Sequence, residues 1–205
     1  MISPELQNFY ERWLRKAEEY RSDNLQDCFD RFFTLFVAYN RLYAELALSC
    51  AKRGVWRWNY ISDGLAAKSN VRSYLGNRYI LRNLEDNGAC TTALSSVIDL
   101  LERRVFTIKL DGLSGKRRFF TSKLDRLSKE RRVEADSILL ERLNSNRTDQ
   151  KVYAVLDVIY SIRCNLFHGQ KGYDDEQIMI LIPVTILLRK IMSLLYEKMS
   201  QDYDL

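Results

Sequence analysis

Three side chains near the end of one apolar-periodic run have the types that acid–base chemistry needs: Arg163, Asn165 and His168. The run extends from Val152 to Phe167, and Gly169 follows His168 directly. Together they offer a permanent cation, a carboxamide and an imidazole whose ordinary pKa is ~6.5. His168 is the only histidine in the chain, so it is the natural acid or base near neutral pH.

The spacing of this motif, R-x4-H, decides how its two charged groups can meet. On an ideal helix, positions 163 and 168 lie about 140° apart, so their side chains diverge. Either the helix ends before His168, which Gly169 permits, or two chains each contribute one Arg and one His across a two-fold axis. A purely structural alternative is also open, in which Arg163 pairs with an acid such as Asp157 or Asp174 and the imidazole interacts with a helix dipole.

The motif and its surroundings resemble the HEPN family, a group of small α-helical domains. Many members are metal-independent RNases that carry an R-x4–6-H motif. The resemblance is carried by Arg-Cys-Asn-Leu-Phe-His-Gly at 163–169, by the amphipathic helix before it and by the long apolar helix after it. It is sharpest over residues 148–200. Cys164 departs from the pattern, because many members have a polar residue directly after the arginine.

The resemblance implies an endoribonuclease that uses no metal and no cofactor. The 2′-OH of RNA would attack the adjacent phosphorus, His168 would move the proton, and Arg163 would stabilise the charge on the phosphorane. Asn165 would orient the imidazole or a phosphate oxygen. The products would be 2′,3′-cyclic phosphate and 5′-OH ends, and DNA should resist. Because HEPN motifs face each other across a dimer, the expected partners are RNA and a second copy of the chain, with a cognate antitoxin if the protein is a toxin or phage-defence effector.

Two other functions stay open on the sequence. The chain can be a non-catalytic HEPN module that dimerises and binds RNA or a protein, and family members of both kinds exist. It can also be a structural helical adaptor whose basic residues only face solvent. Growth arrest on expression that His168→Ala relieves would favour the RNase.

Positive charge is concentrated in one segment of the chain. The net charge is +5, yet residues 103–132 contain 11 Lys/Arg and 3 Asp/Glu, a local charge of +8 that leaves −3 for the other 175 residues. A block of this kind is typical of a surface that binds a polyanion through its backbone, without reading its sequence. The candidate RNA-binding residues are Lys116, Arg117, Arg118, Arg131 and Arg132.

Composition favours a single all-α domain over residues 1–205. With 8 Gly and 2 Pro in 205 residues there is little material for a turn-rich β architecture. The pattern predicts a HEPN-like antiparallel helical bundle with an inserted basic loop or short hairpin around residues 104–120; both forms of the insertion stay open. Apolar periodicity predicts helices over 4–20, 25–53, 63–75, 89–103, 121–143 and 148–167, and a last one that starts at 174–176.

Cysteines and apolar runs indicate a cytoplasmic protein with reduced thiols. The four cysteines form no CxxC pair and, with one histidine, give no zinc spacing, so we expect four thiols in or near the core and no metal. The N-terminus lacks the pattern of a signal peptide. The longest apolar run, Ile178 to Leu188, is shorter than the ~20 residues that a bilayer requires.

Overall fold

The computed structural model describes residues 2–52, 62–105, 108, 135–167 and 177–202. All regular structure within these ranges is helical, and no strand occurs among them. The predicted all-α bundle is therefore confirmed. The predicted insertion around 104–120 lies almost entirely outside the described residues, so its form stays a prediction.

The first two helices follow the predicted pattern closely. Helix α1 spans Pro4–Glu19 and α2 spans Leu25–Lys52. Ser3 caps α1 because its hydroxyl oxygen accepts the backbone N–H of Leu6 at 3.2 Å, and Pro4 takes the first helical position. The aromatic residues that recur along α2 are buried in the core, as their helical periodicity predicts. Phe32, Tyr39 and Tyr43 are at most 2% exposed.

A helical stretch with one irregular turn follows. It consists of α3 (Asp63–Leu65), a π-helical turn (Ala66–Asn70) and α4 (Val71–Leu75). Gly76, at φ 89°, then turns the chain in the left-handed region that favours glycine. Helix α5 (Asn77–Glu85) was not predicted, because it is nine residues long and buries only Ile80 and Leu84.

In the second half of the chain, the described residues form α6 (Gly88–Glu102), α7 over residues 135–143, α8 (Thr148–Phe167) and α9 (Ile178–Asp202). Arg104, at φ 54°, closes α6. Its backbone N–H donates to the carbonyl of Leu101, and Val105 donates to Leu100, both at 3.1 Å, as in a Schellman motif.

Helix α9 is the central element of the core. It packs against α2 and α6 most extensively and also against α4, α5 and α8. Pro183 lies inside the helix without ending it. The run Ile178 to Leu188 is too short to cross a membrane, but the whole of α9 is long and apolar enough by length and composition. However, 61% of its most apolar 18 residues are buried inside the fold.

Candidate functional site

Two of the eight predicted site residues lie in the described part of the chain. Arg163 and Asn165 are in the last two turns of α8. His168 lies outside the described residues, as do the RNA-binding candidates, namely Lys116, Arg117, Arg118, Arg131 and Arg132. How the imidazole meets Arg163, within one chain or across a two-fold axis, therefore stays a prediction.

The Arg163 guanidinium is held from several sides. Its Nη2 lies 3.6 Å from Oδ2 of Asp63, and its Nη1 donates to Sγ of Cys164 at 3.9 Å. Its Cζ lies 5.6 Å from the ring centre of Phe36 and 5.8 Å from that of Tyr160. Burial lowers the pKa of Arg163, but the Cys164 contact and the Asp63 charge outweigh it, and the net shift is upward. Arg163 is thus a fixed cation whose side chain is still 20% exposed.

Asp63 connects three elements at this site. It is the first residue of α3, directly after the N-cap Ser62, and its side chain is 31% exposed. The Tyr43 hydroxyl on α2 donates to Oδ1 at 2.5 Å, and the Tyr160 hydroxyl on α8 donates to Oδ2 at 3.2 Å. Sequence reasoning missed Asp63 as a site residue, because 100 positions separate it from Arg163 and no local pattern links the two.

A glycine allows α3 to lie this close to α8. A Cβ placed on Gly64 would be 3.1 Å from Cε1 of Tyr160 and 3.3 Å from its hydroxyl oxygen. Such contacts are tighter than most real Cβ contacts, so a side chain there would displace the tyrosine. Gly64 therefore helps to set the distance between Asp63 and the α8 residues that it contacts.

Asn165 is placed in the core rather than at the surface. It is 2% exposed, and its Nδ2 donates to the backbone carbonyl of Ile108 at 2.9 Å. The backbone N–H of Ile108 in turn donates to both carboxylate oxygens of Asp136, each at 3.2 Å. Asn165 of α8 and Asp136 of α7 thus both bind the backbone of Ile108. Its predicted role in orienting an imidazole or a phosphate stays a prediction.

A buried ion pair lies next to this site. Nζ of Lys68 is 2.8 Å from Oδ1 of Asp157, and the side chains are 18% and 5% exposed. Burial lowers the pKa of Lys68, but the hydrogen bond and charge of Asp157 outweigh it and raise the pKa overall. Of the acids considered as partners of Arg163, Asp157 therefore pairs with Lys68 instead, and Asp174 lies outside the described residues.

Lys68→Met should lower the free energy of unfolding by about 3 kcal/mol at neutral pH, because it leaves the Asp157 carboxylate buried without its ammonium partner. Urea unfolding at pH 7 measures the effect. Arg82→Met is the matched control, since the Arg82–Asp86 pair is 83% and 70% exposed and should contribute little. Equal effects of the two substitutions would contradict this account of the buried pair.

Within the described residues, no three His, Cys, Asp or Glu side chains lie close enough to hold a metal ion. The four cysteines are separate, buried thiols, as the sequence predicted. The described charged side chains at the site form two ion pairs, Arg163 with Asp63 and Lys68 with Asp157. Comparison of the chain with protein-family models, with curated proteins and with solved structures finds no match.

Proposed function

We propose that this chain is a metal-independent endoribonuclease of the HEPN type, which acts in the cytoplasm as a homodimer. One observation carries the proposal: α8 holds a protonated, partly exposed Arg163 five positions before the only histidine of the chain. The residue sequence of the motif, from Arg163 to Gly169, supports the same function because it resembles the HEPN motif. Its biological setting would be that of a toxin or phage-defence effector, with a cognate antitoxin as a further partner.

Arg163 has the properties that phosphorane stabilisation needs. Its guanidinium can bind two phosphate oxygens, and its contacts with Phe36 and Tyr160 fix the plane of the group before substrate arrives. The Asp63 carboxylate occupies one side of the guanidinium, as an anionic ligand would. Because Nε is buried and Nη2 lies beside Asp63, a phosphate oxygen would bind within the 20% of the Arg163 side chain that is exposed.

The proposed reaction consists of an in-line displacement at phosphorus. The 2′-oxygen of RNA forms a bond to the phosphorus, and the bond between phosphorus and the 5′-oxygen breaks. His168 accepts the proton of the 2′-OH or donates a proton to the leaving 5′-oxygen, and the second imidazole of the dimer serves the other step. Arg163 stabilises the extra negative charge that develops on the non-bridging oxygens. The products are a 2′,3′-cyclic phosphate and a 5′-OH.

Removal of the nucleophile from the substrate tests this proposal. Purified protein is incubated in EDTA with an RNA oligonucleotide, with the same sequence as DNA, and with RNA that carries one 2′-deoxy residue at the mapped cleavage position. We expect cleavage of RNA, none of DNA, and none at the deoxy position. Cleavage at the deoxy position would show that the 2′-OH is not the nucleophile and would overturn the proposed reaction.

Two observations favour a second candidate, a non-catalytic HEPN dimer that binds RNA or a protein. Asp63 offsets part of the Arg163 charge, and Cys164 is buried where many family members have a polar residue. Both features weaken electrostatic stabilisation of a phosphorane. A dimer that binds RNA, cleaves none of several RNAs and causes no growth arrest on expression would support this candidate.

A further inference from the structure

Three cations from three different elements surround one tyrosine ring on α8. Nζ of Lys68 lies 5.5 Å from the ring centre of Tyr153, Cζ of Arg72 lies 5.3 Å from it, and Cζ of Arg142 lies 5.7 Å from it. All four side chains are partly exposed. The π-helical turn brings Lys68 to α8, α4 brings Arg72, and α7 brings Arg142. Such contacts hold the cations in defined positions at the surface.

This group continues along α8 to Arg163. Lys68 also lies 5.3 Å from the ring centre of Tyr160, so it joins the two tyrosines, which are two turns apart on one face. Arg163 also contacts this ring, with its Cζ 5.8 Å from the ring centre of Tyr160. From position 153 to position 163 the row extends about 15 Å along the helix axis. We call it the cation–tyrosine row; its members are Arg142, Arg72, Tyr153, Lys68, Tyr160 and Arg163.

The row has more positive than negative charge. Among the described residues, its four cations pair with two carboxylates, Asp157 at Lys68 and Asp63 at Arg163, so these six side chains sum to +2. Within the described residues, Arg72 and Arg142 form no ion pair; Arg72 donates only to the backbone carbonyl of Asp149, at 3.4 Å. Two guanidinium groups on the same ring, with no carboxylate partner among the residues that the structure describes, form a site that an anion would stabilise.

We propose that the cation–tyrosine row binds the phosphate backbone of single-stranded RNA and leads it to Arg163. The choice of RNA rests on the proposed function, whereas the binding of an extended polyanion follows from the charge and length of the row. The tyrosine faces are occupied by cations, so the row contacts phosphates rather than stacking bases. Binding is therefore independent of sequence and sensitive to salt.

The row also has a consequence for affinity. Long side chains usually lose rotamer freedom when they bind a phosphate. Arg72 and Arg142 are already ordered against Tyr153, so less freedom is lost on binding. A short oligonucleotide should thus bind although few phosphates are contacted.

The test measures RNA binding in a chain that cannot cleave. In a His168→Ala background, a labelled single-stranded RNA of about 16 nucleotides is titrated at several salt concentrations. Arg72→Gln with Arg142→Gln should weaken binding on the order of tenfold at ~0.1 M salt and reduce the slope of log K against log salt by about 1.4. Arg72→Lys with Arg142→Lys keeps both charges and should retain most of the slope.

A matched control removes the same charge elsewhere. Arg12 and Arg15 are exposed on α1, which packs on α2, so Arg12→Gln with Arg15→Gln should leave the slope unchanged. Circular dichroism confirms that each variant is folded. Equal losses in the two glutamine pairs, or an unchanged slope in Arg72→Gln with Arg142→Gln, would overturn the proposal even if the wild type cleaves RNA. Loss of binding specific to the row, in a protein that cleaves no RNA, would support it and refute the proposed RNase.

Discussion

Arg163→Ala should lower the rate constant of RNA cleavage by about 10²–10³-fold, the loss typical when one group that stabilises an oxyanion is removed. The guanidinium is protonated, aligned by two aromatic rings and partly exposed, so its main contribution is to the transition state. Binding of RNA should weaken far less, because other cations of the row remain. Single-turnover cleavage, with the affinity measured separately, distinguishes the two effects.

Two companion variants test this prediction. Arg163→Lys keeps the charge but loses the planar, two-pronged hydrogen bonding, and should give an intermediate rate. Arg189→Ala removes a half-exposed arginine of α9 that pairs with Glu18 of α1, and should leave the rate unchanged. A folded Arg163→Ala protein that cleaves at the wild-type rate would contradict the role given to Arg163.

The second large effect is alkaline unfolding above pH ~10, because several buried tyrosines must stay neutral in the folded state. Burial raises the pKa of Tyr10 to about 12 and raises that of Tyr39. Burial and the hydrogen bond to Asp63 raise the pKa of Tyr43. In the unfolded chain these hydroxyls ionise near pH ~10. The stability that they contribute is complete below pH ~10 and is lost as the pH rises from there towards the folded-state pKa values.

The free energy of unfolding should fall steeply with pH above ~10. In the pH range where a tyrosine is ionised in the unfolded chain but neutral in the folded chain, it lowers the free energy of unfolding by about 1.4 kcal/mol per pH unit. Three such tyrosines lower it by about 4 kcal/mol per pH unit. Lys68, whose pKa is also raised, acts in the same direction. Against a typical total stability of about 5–15 kcal/mol, unfolding should be complete within a few pH units above ~10.

Circular dichroism and tyrosinate absorbance, followed together against pH, measure this transition. Tyrosines at the surface contribute absorbance independently of unfolding. The part contributed by the buried tyrosines should share its midpoint with the circular dichroism signal, because their ionisation requires unfolding. Tyr39→Phe should make the transition less steep by about one proton, although it also removes the 2.5 Å hydrogen bond to the carbonyl of Ala67. Tyr79→Phe, at a position that is 43% exposed, should leave the steepness unchanged. Tyrosinate absorbance that develops fully before the helices unfold would contradict the account.

Helices with a long apolar period could be predicted from the sequence, whereas short ones could not. The periods of α1, α2 and α8 gave bounds within a few residues of those observed, because each helix places a full stripe in the core. Helix α5 was missed because it buries two residues, and the π-helical turn inside the predicted helix 63–75 has no signature in side-chain types. The basic insertion lies outside the described residues and stays a prediction.

At the candidate site, too, residues within one local motif could be predicted, whereas contacts between distant segments could not. Arg163 could be found from a local motif, since its spacing to His168 is readable along one helix. Its carboxylate partner could not be predicted, because the contact of Gly64 with Tyr160 of α8 brings Asp63 to Arg163, while Asp157 pairs with Lys68. The row around Tyr153 was missed for the same reason, since Lys68 and Arg72 precede Tyr153 by more than 80 positions in the sequence.

The most direct test of the central claim is RNA cleavage in EDTA by the wild type and by His168→Ala, with the chemistry of the product ends determined in the same samples. The account predicts that the wild type cleaves RNA to 2′,3′-cyclic phosphate and 5′-OH ends and that His168→Ala loses about 10²–10⁴-fold of the rate. A folded, dimeric wild type that cleaves no RNA, or cleavage that survives His168→Ala at the same rate, would contradict it.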